Sequence, residues 1–93
     1  MNKEEKAKLD GIKAKQLLND PLVIKALADM RHNLYDMIQR SSFDQSKERE
    51  DCYYMLRAVE SFESQFKKII NAGIAAEQKI AAAGRVVKRI QEF

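Results

Sequence analysis

Cysteine is nearly absent from this 93-residue chain, and that scarcity excludes more than any motif it contains. Cys52 stands alone, so no internal disulfide can form and the multi-cysteine patterns that hold zinc are missing. The chain has no tryptophan, one histidine, one proline and three glycines. A β-rich fold would need turn signals about every 8–12 residues, and so few glycines and prolines cannot supply them. No run of about 18 apolar residues occurs, so the sequence predicts no membrane span. The lysine-rich start is followed by no apolar segment of the secretory type. No Gly-rich phosphate loop, Walker motif, dinucleotide fingerprint or zinc motif is present. What remains is 45% apolar and 33% charged, which fits one helical domain and is too apolar for a disordered tail.

Charge of neither sign dominates. Seventeen basic and 14 acidic side chains leave a net +3, ordinary for a soluble protein and too little to announce nucleic-acid binding. The excess sits at the two ends: residues 1–18 carry five lysines against three acids, and residues 73–93 four basic groups against two acids. Such ends suit phosphate or an acidic partner surface, or are simply solvated. With one free cysteine, the expected compartment is a reducing cytoplasm.

Hydrophobic spacing predicts an all-α fold, an antiparallel and coiled-coil-like helical hairpin with a short N-terminal helix and a helical C-terminal extension. Residues 3–18, rich in Lys, Glu, Ala and Leu, form the short helix, with Leu9, Ile12, Leu17 and Leu18 as its larger apolar positions. Asn19-Asp20-Pro21 resets the chain: Asp20 can cap free N–H groups, and Pro21 fits the first helical position. The second helix covers residues 21–40, with Val23, Leu27, Met30, Leu34 and Met37 spaced 4, 3, 4, 3 along one stripe. Ser41 to Ser46 reads as a loop, and Ser42 followed by Gln45 resembles a capping box. The third helix covers about residues 45–72, where Cys52, Met55, Val59, Phe62, Phe66 and Ile69 repeat at 3, 4, 3, 4, 3. Two such helices joined by a short loop pack on each other.

Gly73 is the ambiguous point. After Asn71-Ala72 it can end the helix in a left-handed cap, and a break or bend there is placed slightly ahead of one long helix. Yet the apolar register passes through it, by Ile69, Gly73, Ala76, Ile80, Ala83, Val87 and Ile90, so residues 74–92 are either a fresh helix or a continuation. An unbroken helix of about 45 residues would reach roughly 70 Å, against a hairpin partner of about 30 Å. Its uncovered C-terminal third would then need another subunit or protein. Ile80, Ala83, Val87, Ile90 and Phe93 are the expected oligomer or partner interface.

The chemistry-bearing residues receive bland readings. His32 has Asp29 three residues before it and Asp36 four after, a set that can bind a divalent metal in principle. It lies off the apolar stripe, so an ordinary helix surface is expected and no metal site is assigned. Cys52 lies on the stripe beside acids that disfavour a thiolate, which makes it a core cysteine. Glu48, Glu50, Asp51, Glu60 and Glu63 are interleaved with Lys47, Arg49 and Arg57, the pattern of a solvated face rather than of acid–base catalysis. No catalytic residue and no cofactor are expected, and the chain reads as a non-enzyme. Tyr35, Phe43, Tyr53 and Tyr54 are expected to close the loop end of the hairpin core, with a partner-binding patch as the alternative. Lys79, Arg85, Lys88 and Arg89 make the tail a basic amphipathic helix and are the candidate contacts for phosphate or an acidic partner.

Leu17-Leu18-Asn19-Asp20-Pro21, Ala26-Leu27, and the stretch from Asp44 to Leu56-Arg57-Ala58 resemble small helical proteins encoded by tailed bacteriophages, often with structural genes. The resemblance covers about residues 15–73, ending near Gly73. This chain departs from the pattern by lacking the proline-containing loop between helices and by adding a long alanine-rich tail. The resemblance implies no enzymatic role; it implies a virion assembly or accessory protein, in a bacterial host cytoplasm, acting through protein contacts. The expected function is a self-associating helical module, a homo-oligomer that docks onto a larger assembly. The alternative is a small nucleic-acid-associated regulator using the basic tail. No membrane partner is expected.

Overall fold

Three helices in the order α1 (Lys3–Leu18), α2 (Pro21–Arg40) and α3 (Ser46–Gln91) make up a computed structural model that describes the backbone of residues 1–91 and the side chains of residues 1–85. The fold is all-α, with antiparallel packing of α1 on α3 and of α2 on α3, and no strand among the described residues. The helix boundaries follow from local chemistry. Asn2 Oδ1 accepts from the Glu5 N–H at 2.8 Å and starts α1. Asp20, in an extended conformation, accepts from the N–H groups of Leu22 at 2.8 Å and Val23 at 3.4 Å, with Pro21 where no donor is needed. At the far end of α2, Ser41 Oγ donates to the Ile38 carbonyl at 2.6 Å and satisfies one of the helix's last acceptors.

The chain divides into two units, and α3 contributes to both. The second unit, Leu18–Gln65, is the hairpin of α2 with the first part of α3. Its core is a cluster of Leu34, Cys52, Leu56 and Val59, with Leu27 and Ile38 packed against it. The seam is narrower than the sequence stripe and rotated from it. On α3 it follows Cys52, Leu56, Val59 and Glu63, while Met55 and Phe62 of the predicted stripe remain 56% and 50% exposed.

The first unit joins residues 1–17 to the chain from Phe66 onward. Here α1 buries its small residues, Gly11 and Ala14, and leaves Leu9, Ile12 and Leu17 more than 40% exposed. The reason is the closeness of the crossing. A Cβ placed on Gly11 would lie 3.0 Å from the Gly73 Cα and 3.2 Å from the Ile69 carbonyl oxygen. One placed on Gly73 would lie 2.9 Å from the Ala7 carbonyl oxygen. Only glycine at both positions lets the two backbones meet.

Of the two alternatives open at Gly73, a break or a continuous helix, the structure takes the second. There is no break at Gly73: α3 runs without interruption from Ser46 to Gln91. Gly73 is in the helix as a contact surface rather than as a cap, and no described residue, glycine included, has a positive φ. Beyond the hairpin, α1 covers α3 around the Gly11–Gly73 contact and the buried Ala76, whereas residues 81–85 are exposed.

Candidate interaction surface

The hairpin of the second unit leaves one side of its seam open. Leu27, Met30, Asn33 and Leu34 of α2 and Met55, Ala58, Val59 and Phe62 of α3 line a groove of about 550 Å³. None of these eight side chains is charged, and Asn33 is the only polar one. Met30 is 48% exposed, and Met37, seven residues further and on the same helix face, is 57% exposed. Methionine is flexible and polarisable, and it adapts to whatever covers it.

Charge near the groove is settled within each helix. Lys25 bonds Asp29 at 2.6 Å, Arg40 bonds Asp36 at 3.1 Å and Arg57 bonds Glu60 at 3.3 Å. The hydrogen bond to Asp29, then its charge, raises the pKa of the exposed Lys25 ammonium above the usual lysine value. Between helices, Arg31 of α2 pairs with Glu63 of α3, the two side chains being 35% and 21% exposed. That pair is hidden in the sequence, where Glu63 reads as part of a solvated face. The signal that finds it is positional: Arg31 falls four after Leu27 and three before Leu34, inside the seam.

The carboxylates around His32 are engaged elsewhere: Asp29 by Lys25 and Asp36 by Arg40, with His32 exposed. No group of three or more metal-ligating side chains lies together among the described residues. Cys52 is 4% exposed and packed in the core cluster.

The aromatic residues do not close the loop end of the core. Tyr35, Tyr53 and Tyr54 are 54–59% exposed, and Phe43 is fully exposed. The Tyr53 and Tyr54 rings meet edge to face at 5.8 Å, and the Tyr54 hydroxyl donates to Glu50 at 3.2 Å. Phe43 is held out by a well-tied loop. Arg49 Nη1 donates to Ser41 Oγ at 3.0 Å and to the Ser42 carbonyl at 2.6 Å, and Nη2 donates to the Phe43 carbonyl at 3.4 Å. Gln45 Oε1 accepts from the Ser42 N–H at 2.8 Å, the reciprocal half of a capping box. The Ser42 hydroxyl donates to Asp44 at 2.5 Å and, with a backbone hydrogen bond, lowers the Asp44 pKa below its ordinary 3.8, helped by the charge of Arg49.

Of the C-terminal candidates, Ile80 is half-buried and Lys79, Ala83 and Arg85 are exposed. The side chains of Val87, Lys88, Arg89, Ile90 and Phe93 lie outside the described residues. No helix among the described residues is long and apolar enough to cross a membrane.

The fold and this surface define an all-α protein of three helices with an open apolar groove. No protein-family model matches the chain, and neither a curated protein nor a solved structure is found similar to it.

Proposed function

We propose that the chain is a non-catalytic helical interaction module that self-associates and docks onto a larger protein assembly. One observation carries this reading: the uncharged groove along the α2–α3 seam, with Met30 and Met55 about half exposed on its two walls. Contiguous apolar surface on a small protein marks a place where another chain binds. Helical partners enter such grooves by their own apolar stripes. The need is energetic as well. Six apolar residues are buried among the described residues, and none is wholly enclosed. A core of that size is marginal for a domain of about 90 residues, and association is a common remedy. The resemblance to phage helical proteins favours a phage structural assembly, in the host cytoplasm or on the virion, as the setting.

Light scattering coupled to size exclusion, at low and high salt, tests the reading. A discrete oligomer that survives high salt is expected, because apolar burial is not screened. A monomer at all concentrations whose surface also takes up no apolar dye refutes it.

A second reading has an observation of its own. By sequence, the segments of the first unit carry 11 Lys and Arg against five Asp and Glu, whereas the second unit carries six against nine. The basic groups of both chain ends thus belong to one unit, which suits contact with nucleic-acid phosphates. Binding of that kind falls steeply with salt, and reversing Lys79 and Arg85 weakens it. Salt therefore separates the two readings.

A further inference from the structure

Resting on the interaction-module reading, we infer that the occupant of the α2–α3 groove is the same groove of a second copy, brought together by a twofold axis near Asn33 into a four-helix bundle. Four observations point to a second copy rather than a foreign chain.

The first is chemical. No lining residue is charged, so the groove offers nothing that selects a basic or acidic partner. The flanking Lys25, Arg40 and Arg57 are already neutralised by neighbours on their own helices, so the approach of an identical face meets little repulsion there.

The second is Asn33. It is the single polar side chain of an apolar groove, and covering it with hydrocarbon would strand an amide that needs both a donor and an acceptor. A twofold axis supplies both from the Asn33 of the other copy. A lone asparagine in an otherwise apolar seam is also a known means of fixing register and copy number.

The third is shape. Large side chains (Met30, Met55, Phe62) line the groove together with the small Ala58. Interdigitation of large with small is how four-helix bundles fill their centre, and two antiparallel hairpins placed face to face give that architecture without further rearrangement.

The fourth is area. Met30, Met37, Met55 and Phe62 are 48%, 57%, 56% and 50% exposed. Large side chains of this kind each leave on the order of 100 Å² in water at such exposure. The three that line the groove, with Met37 two turns further along α2 and with Leu27, Asn33, Ala58 and the flanking stems, bring a pair toward the lower end of the roughly 1,200–2,000 Å² of a stable interface.

The test is a cysteine placed at the proposed axis. Asn33→Cys, in a Cys52→Ala background whose helicity is first checked by circular dichroism, is exposed to a mild oxidant, and the products are read on a non-reducing gel. In parallel, Met55→Glu and Met30→Lys are sized by light scattering, and each protein is titrated with an apolar fluorescent dye. Both replaced methionines are about half exposed, so neither change is expected to unfold the chain. The expected result is a dimer, near-complete cross-linking of the Asn33→Cys protein when dilute, little dye uptake, and conversion to monomer by either methionine variant. Wild-type monomer with strong dye uptake that Met55→Glu abolishes overturns the self-pairing while leaving the groove a docking site for another chain. An oligomer that persists in both methionine variants, with no cross-link formed by the introduced thiol, overturns both the inference and the assignment of the groove. A wild-type monomer without dye uptake does the same.

Discussion

Replacing Gly73 with alanine gives opposite results under two views of that residue. In an exposed helix interior, Gly→Ala stabilises by about 1 kcal/mol, because glycine loses the most backbone freedom on folding. If Gly73 were merely a helical residue, the substitution would help. The crossing says otherwise. The new methyl carbon would sit 2.9 Å from the Ala7 carbonyl oxygen and 3.0 Å from the Gly11 Cα, both backbone atoms that cannot rotate away. Relief requires α1 to move outward, which weakens the contacts along the small-residue seam, including Ala14 and Ala76. Overpacking of this kind costs about 1–3 kcal/mol, so the net effect is a loss of up to about 2 kcal/mol. Gly84 provides the internal control, since a Cβ there has no neighbour within 4 Å. Gly84→Ala is expected to stabilise or be neutral, which separates the two alanines by about 1–3 kcal/mol. Urea denaturation followed by circular dichroism measures the difference. Hydrogen exchange of the α1 amides locates it, because the cost falls on the first unit and can open α1 locally before the rest unfolds. Equal stabilisation by Gly73→Ala, Gly11→Ala and Gly84→Ala would refute the close crossing.

In the second unit, Arg31→Ala or Glu63→Ala is expected to cost about 1–2 kcal/mol, since either leaves a half-buried ionic group without its interhelical partner. A double-mutant cycle should return a coupling of about 0.5–1 kcal/mol, and a coupling near zero would show that the pair contributes nothing. Asp44 has its folded pKa depressed below 3.8, chiefly by the Ser42 hydroxyl, so its contribution to loop order is present above that value. That contribution is lost as pH falls through the depressed pKa, and Ser42→Ala is expected to return the Asp44 titration, followed by NMR, toward 3.8.

The helical class and the start of α2 are legible in the sequence because their causes are local. Asp20 and Pro21 act on the first turn that they precede, and an apolar repeat of 4, 3, 4, 3 needs no knowledge of the partner. Gly73 is not legible, for the opposite reason. Glycine ends helices and also lets helices touch, and only the presence of Ala7 and Gly11 against it decides between the two. Those residues lie more than 60 positions away in sequence. The α1 packing face is hidden by the same logic. Its larger residues draw attention to Leu9, Ile12 and Leu17, while the contact is made by residues too small to mark a stripe. At the groove, the α3 stripe is plainly apolar in sequence, but one helix can cover only about half its width. Met55 and Phe62 are therefore surface, although their spacing matches that of the buried Val59. The loop aromatics depart in the other direction: Arg49 binds three groups of the loop, and its grip on the backbone leaves Phe43 pointing into water.

The division of α3 between two units has a consequence for the order of events on the ribosome. The α2 hairpin closes within one contiguous stretch, Leu18–Gln65, and can fold as soon as that stretch has emerged. The helix that precedes the hairpin, α1, has its docking surface around Gly73, so it must wait unpaired until the chain has been made through that point. Closing a loop of that length is entropically expensive for an open chain, but the hairpin has by then shortened the path between the two ends. Thus α1 is synthesised before the hairpin and finds its place after it. Until then, its exposed lysines and small-residue face are open to protease and chaperone alike.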